Sequence, residues 1–181
     1  MPRSYTMRGV KGAADRAVAL ARAYLAFAAP DSLVHDVQSD PRFQHRGVDL
    51  LWEREGEKVT GVEVKGDRHG RRGNYFLELV SNLEKDTPGC FLYSEADLLL
   101  YVFLERRELH LLPLPAARRW FLGRAKEFPL RSTRTRLGKS HYTTVGAVVP
   151  IRTLFPQVAG AGRFRIQKTG AAEPLRPFRT T

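Results

Sequence analysis

With one cysteine, Cys90, the chain has no internal disulfide, and no second Cys or His stands at ligand spacing to make that thiol part of a zinc site. The sequence reads Cys90 as ordinary packing. No apolar run approaches the roughly 20 residues that span a bilayer, and the opening Met-Pro-Arg-Ser-Tyr-Thr lacks the apolar stretch of a signal peptide. A cytoplasmic protein of a prokaryotic or phage-infected cell, with no membrane partner, is expected. There is no internal repeat, no P-loop and no helix-turn-helix pattern, and His35, His45, His69, His110 and His141 show no metal-ligand spacing. Acidic residues are few as well. Nineteen Asp and Glu stand against 30 Lys and Arg, giving a net charge of +11 and a pI near 10.3. Such a balance favours a polyanionic partner, most simply nucleic acid, with a membrane surface as the alternative.

With 181 residues and a hydrophobic fraction of 43%, the chain can bury one substantial core but has little room for a second. Gly9 to Phe27 carries Val10, Ala13, Ala14, Ala17, Val18, Ala21, Tyr24 and Leu25 at helical spacing, with Pro30 beyond its end. A strand is expected over Asp31 to Val37, followed by a Gln38-Ser39-Asp40-Pro41 turn. Further strands are expected over 74–80, 97–104, 108–112 and 142–149, forming one central sheet. Pro115 to Arg124 reads as a helix and Pro150 to Leu154 as a terminal helical turn, with Trp120 assigned to the core. The spacing places one domain over residues 1–156. Residues 157–181 are rich in Gly, Ala, Pro and Arg, with five basic residues against Glu173, and predict a basic, flexible tail.

The most informative segment is Gly47 to Lys65. Val48-Asp49-Leu50-Leu51-Trp52 and Val59-Thr60-Gly61-Val62-Glu63-Val64-Lys65 are rich in β-formers and flank a polar turn, so they predict a β-hairpin. Folding it symmetrically about Gly56 sets Asp49 opposite Glu63, with their Cβ atoms about 5 Å apart. Alternation puts Lys65 on the same face and turns Val62 and Val64 to the other. Opposed carboxylates destabilise a sheet unless offset, and a hard divalent cation held by oxygen ligands offsets them. Mg²⁺ at that position could polarise a phosphoryl oxygen, with Lys65 orienting the nucleophile or stabilising developing charge. Phosphodiester hydrolysis is the chemistry expected. Glu-x-Lys is also abundant in solvated sheets, and a non-catalytic DNA- or RNA-binding protein that merely pairs these acids with Lys65 is the competing class.

Two basic segments would serve a phosphate backbone. Arg68, Arg71 and Arg72 lie in the glycine-rich run that follows Lys65, and Arg131, Arg134, Arg136 and Lys139 lie in a stretch without a single acid. Glu78 shares its strand face with apolar groups, which leaves it either at a solvent edge or near the metal.

Helix, antiparallel hairpin with Asp then Glu-x-Lys, and further strands together resemble the PD-(D/E)XK, or restriction-endonuclease-like, nuclease superfamily over about Val10 to Leu104. The Gln44-x-x-Gly47-Val48-Asp49 run resembles the segment leading into the active hairpin of phage and prokaryotic members. Gly73-Asn74-Tyr75-Phe76-Leu77-Glu78 and Ser94-Glu95-Ala96-Asp97 also look like elements of phage-type members. The resemblance implies an α/β fold in which a mixed central sheet with the active hairpin is flanked by helices. It implies a Mg²⁺- or Mn²⁺-dependent endonuclease in which Asp49, Glu63 and the Val64 carbonyl bind metal, Lys65 positions the attacking water, and Gln44 joins the catalytic set. The chain departs from the pattern in two places: Val48 replaces the proline that often precedes the first acid, and no glutamate lies in the first helix. Asp15, the acid that does lie there, is either a third metal ligand or a surface charge favoured by the helix dipole. A small basic chain without a sequence-reading domain suits structure-selective cleavage of branched DNA or Holliday junctions, and a resolvase-like homodimer fits those features. Exonuclease and RNA-directed activities occur on the same scaffold.

Overall fold

The computed structural model describes residues 3–68, 70–167 and 170–176. In chain order the elements are β1 (Arg3–Thr6), α1 (Met7–Ala28), β2 (Leu33–Asp36), α2 (Pro41–Gln44), β3 (Leu50–Glu53), β4 (Thr60–Asp67), β5 (Asn74–Asn82), β6 (Thr87–Pro88) and α3 (Cys90–Tyr93). They continue with β7 (Leu98–Phe103), β8 (Glu108–Pro113), α4 (Leu114–Leu122), β9 (Leu130–Leu137), β10 (Ser140–Pro150), α5 (Ile151–Leu154), β11 (Gly162–Ile166) and β12 (Ala172–Pro174). The fold is mixed α/β with two mixed sheets. One sheet has the order β12-β11-β8-β7-β4-β3-β2 and the other β1-β9-β10-β5-β6. No described helix is long and apolar enough to cross a membrane.

Thr6 caps α1 by accepting a hydrogen bond from the Gly9 amide, and the helix buries Ala13, Ala17, Val18, Ala21, Tyr24 and Leu25. Small residues let it lie close to the sheet. A Cβ at Gly66 on β4 would come within 2.9 Å of the Ala17 Cβ and 3.1 Å of the Ala13 carbonyl. The helix packs with Leu50, Trp52, Val62, Leu100, Val102 and Leu109 from one face of the seven-stranded sheet. The opposite face carries Leu99, Tyr101, Phe103 and Leu112, which pack against Tyr75, Leu77, Ala147 and Val149 of the five-stranded sheet. Each large apolar side chain fully buried between the layers contributes roughly 1.5–3 kcal/mol. The hairpin strands β3 and β4 thus have α1 on one side and a second sheet on the other.

Two expectations about the fold are corrected. Residues 74–80 form a strand with the expected alternation, burying Tyr75 and Leu77, but they do not join the hairpin's sheet. Both edges of β4 are already taken, by β3 antiparallel and by β7 parallel, so β5 pairs with β10 and presents its apolar face to β7 from a second layer. The central sheet is therefore flanked by α1 and another sheet, not by helices on both faces. α4 adds Leu114, Ala117 and Phe121 to the inter-sheet core.

The second correction concerns residues 157–181, expected as a flexible tail. β11 pairs with β8, and β12 pairs with β11, extending the seven-stranded sheet. Lys168, Thr169 and residues 177–181 lie outside the described residues. Ile166 and Ala172 are buried in the core beneath α1, with Phe164 packed against the Tyr24 ring, and a buried polar chain adds to this. Arg163 on β11 donates from Nη2 to Glu108 Oε1 at 2.7 Å and from Nε at 3.1 Å. His110 Nε2 lies 2.8 Å from the same oxygen, and its Nδ1 lies 2.6 Å from the Tyr75 hydroxyl. A neutral imidazole donating from Nε2 and accepting from Tyr75 at Nδ1 satisfies both contacts, and burial holds His110 below the ordinary histidine range. Burial works against the Glu108 charge, but hydrogen bonds from His110 and Arg163 hold its pKa down to about 2.

Glu108 keeps Arg106 and His110 as partners, so losing Arg163 removes charge-assisted hydrogen bonds worth about 1.5–3 kcal/mol without stranding the charge. Arg163→Ala is therefore expected to lower the urea-unfolding free energy by that order. A flexible tail would lose less than about 0.5 kcal/mol, the usual range for surface substitutions.

Candidate active site

The hairpin register is Leu50↔Val62, Leu51↔Gly61 and Trp52↔Thr60, which is symmetric about Gly56, so Asp49 and Glu63 are the next residues along. Asp49 precedes β3 and is fixed by its backbone: its amide donates to the Val62 carbonyl at 2.9 Å, and its carbonyl accepts from the Val37 amide at 2.9 Å. Its carboxylate accepts from the Val64 amide through Oδ2 at 2.8 Å. The approach to Asp49 depends on Gly47, whose φ of +61° is left-handed and whose Cβ would fall 2.9 Å from the Ser94 Cβ. Ser94 Oγ donates to the Gly47 carbonyl at 2.6 Å, and the Glu95 amide donates to the Arg46 carbonyl at 2.8 Å. Two segments singled out in the sequence, 44–49 and 94–97, are thus in contact. Asp97 also closes the hairpin, accepting from the Gly61 amide through Oδ2 at 2.8 Å.

Glu63, Lys65 and Asp67 leave β4 toward the second sheet, where Glu63 retains only 8% of its exposure. Its carboxylate is hydrogen-bonded to the Cys90 thiol on α3, so Cys90 is part of the cluster and not ordinary packing. Lys65 forms an ion pair with Glu78 on β5, which takes Glu78 away from the solvent edge. The space between Glu63, Lys65, Phe76, Glu78, Cys90 and Leu99 is a gap of about 10 Å³, roughly the lower limit for a single water.

Charge and burial conflict here. Burial pushes the Asp49 carboxyl up to about 6, with Asp36 adding to the rise while the Val64 amide and Lys65 oppose it. Glu63 is pushed up to about 8 by burial and then by Asp49, against the opposing effects of Cys90 and Lys65. For Lys65, burial works against the ammonium, but Glu78, with Cys90 and Glu63, outweighs it and holds the amine above the ordinary lysine range. Tyr93 feels the same cluster, its phenol raised by burial and by Glu63.

Asp49, Glu63, Val64, Lys65 and Glu78 are brought together. Gln44 and Asp15 are not. Gln44 ends the exposed turn α2, and no hydrogen bond joins its side chain to the cluster among the described residues. Asp15 sits on the exposed face of α1, opposite the small residues that meet β4; this is the surface-charge alternative. Arg68 follows β4 and stacks over the Tyr5 ring at 4.8 Å, and Arg72 is exposed. The side chain of Arg71 lies outside the described residues. Arg131, Arg134, Arg136 and Lys139 are all exposed on β9 and the turn after it, with Thr135 buried between two of them. In the five-stranded sheet β10 alone separates β9 from β5, the strand of Glu78.

The donors available to a metal are two carboxylates and a main-chain carbonyl. The N–H and C=O of one residue leave the same edge of a strand, so the Val64 carbonyl shares the edge whose amide meets Asp49. Hard oxygen donors of this kind suit Mg²⁺ or Mn²⁺, and a cation would offset the cost of charging two carboxyls that burial raises, Glu63 with a further push from Asp49. No three His, Cys, Asp or Glu side chains among the described residues are arranged to hold a metal. Water and substrate oxygens would therefore complete the shell.

Between the ordinary value of 4.5 and about 8, folded Glu63 keeps a proton that the unfolded chain releases. Its contribution to stability is complete below about 4.5 and lost as pH rises through about 8. In metal-free urea unfolding, Glu63→Gln should exceed wild type at pH 8 by on the order of a few kcal/mol, and the difference should close by pH 4.5. Wild type being the more stable at pH 8 would show that Glu63 is an ordinary paired carboxylate. No protein-family model matches the chain, and no curated protein or solved structure matches it either, so its functional reading rests on the chemistry of Asp49, Glu63 and Lys65.

Proposed function

We propose that the chain is a metal-dependent nuclease that hydrolyses phosphodiester bonds in DNA. The observation that carries this reading is the meeting of Asp49, Glu63 and the Lys65 ammonium beside the Val64 main chain. Nothing in the packing of a purely structural hairpin requires a buried acid to stand beside a half-buried one. Further support comes from the net charge of +11, from the exposed arginines of β9, and from the sequence of helix, antiparallel hairpin and parallel β4–β7 pair, which suits a restriction-endonuclease-like core.

In this reading Asp49, Glu63 and the Val64 carbonyl hold Mg²⁺ or Mn²⁺. When bound, the cation supplies Lewis acidity at a phosphoryl oxygen and a more acidic water. Asp49 is held by the Val64 amide, so its free oxygen needs no reorganisation. Lys65 keeps its proton, orients the attacking water and stabilises negative charge that grows on the phosphate oxygens. The exposed arginines hold the backbone without reading bases, which suits cleavage selected by DNA structure, as at branches or Holliday junctions, by a homodimer.

A non-catalytic nucleic-acid-binding protein is the second reading, favoured by the narrowness of the gap beside Glu63. The two separate on labelled single-stranded, duplex, flap and four-way-junction DNA, and matched RNA, incubated with Mg²⁺, Mn²⁺ or EDTA. The nuclease reading predicts metal-dependent cutting of DNA that Lys65→Ala reduces about 100-fold or more while DNA binding persists. Binding without cutting on every substrate refutes it, and preferential cutting of RNA moves the substrate.

A further inference from the structure

Lys65 stands among three carboxylates, Glu63 and more weakly Asp49 from its own sheet and Glu78 from the other, and its ion pair is with Glu78. Were the lysine free to choose, the hairpin acids would compete for it, and an ammonium seated between them would occupy the place that a cation and a phosphate need. The chain supplies a third acid on a separate layer. We propose that Glu78 is the positioning residue for Lys65, diverting the ammonium from the Asp49–Glu63 pair and aiming it at the substrate.

The surroundings of Glu78 fit that task. Its side chain is 15% exposed and that of Lys65 26%, so the pair is shielded enough for its geometry to persist. A second bridge runs beside it two residues along each strand. The Phe76 amide donates to the Tyr101 hydroxyl at 2.9 Å, and that hydroxyl donates to Asp67 Oδ2 at 2.9 Å. Tyr101 thereby fixes β5 against β4 next to the ion pair. On the other side of β5, Gly89 donates to the Leu79 carbonyl at 2.8 Å, and a Cβ at 89 would come within 2.3 Å of the Glu78 carbonyl oxygen. The Glu78 backbone is therefore held on both flanks, as a residue that sets the direction of another must be.

This role rests on the nuclease reading, and its test separates the two. Cleavage kinetics of wild type, Glu78→Ala, Glu78→Gln and Glu78→Asp are measured beside a crystal structure of Glu78→Ala. The isosteric Glu78→Gln guards against a folding defect in the alanine variant. The expected result is a kcat about 10–100-fold lower in the alanine and glutamine variants, with KM for DNA little changed and partial recovery in Glu78→Asp. In the crystal structure, Lys65 Nζ should have moved onto Asp49 or Glu63. Full activity of Glu78→Ala and Glu78→Gln, or a Lys65 that stays in place without its partner, overturns the proposal. Absence of cleavage by wild type removes the nuclease reading, while the crystal structure still decides whether Glu78 sets the place of Lys65.

Discussion

The burial of Glu63 beside Asp49 is the constraint on which the candidate site turns. Glu63 is buried and Asp49 half-buried, and the hairpin register puts the two carboxylates next to one another. A protein has three ways to live with such a pair: protonate one member, neutralise it with a cationic side chain, or reserve it for a cation from solution. The chain uses the first in part, since Glu63 is raised to about 8. It uses the second only in part, because Lys65 offsets the two acids while its ion pair is with Glu78. A buried charge conflict that the fold does not resolve by itself is a common mark of a functional site, and under the proposed function a cation from solution would answer it.

The two-layer architecture, held by the apolar core between the sheets, is what gives that pair its surroundings. A hairpin at the edge of a single sheet would leave Asp49 and Glu63 in water, where they would ionise with little cost. The second sheet supplies the low-dielectric wall and Glu78, and α3 supplies Cys90, the two groups that tune the cluster. Close packing of α1 on Gly66 fixes β4 from behind, and the Tyr101 bridge fixes β5 in front. The same polar logic recurs where Glu108, His110, Arg163 and Tyr75 tie β11 into the sheet. In both places a charged group on one element is satisfied by a residue far away in the chain.

That distance explains what the sequence could and could not tell. The hairpin was legible because its information is local: β-formers on both arms, a polar turn, and a register symmetric about Gly56. The first helix was legible for the same reason, through its run of alanines and Tyr24 and Leu25 at helical spacing. The partner of a strand is not local, so β5 showed its alternation but not its sheet. Residues 131–141 showed their charge, while the period-two alternation of Thr133 and Thr135 with Arg134 and Arg136, which marks β9, went unread. Nothing near Arg163 announces Glu108, and nothing near Cys90 announces Glu63. Composition alone therefore made a folded segment look like a tail and a site residue look like packing. Gln44 and Asp15, taken from a family pattern, lie apart from the cluster that the residue-level reading of Asp49, Glu63 and Lys65 anticipated.

The most direct test of the account is calorimetric titration of Mg²⁺ into the protein at pH 7.5, in buffers of different ionisation enthalpy, beside Asp49→Asn. If the two acids await a cation, Mg²⁺ binds and displaces the proton that Glu63 holds at that pH, so the measured heat changes with the buffer. Asp49→Asn should abolish that binding. Absence of Mg²⁺ binding by the wild type, or binding that Asp49→Asn leaves intact, would contradict the account.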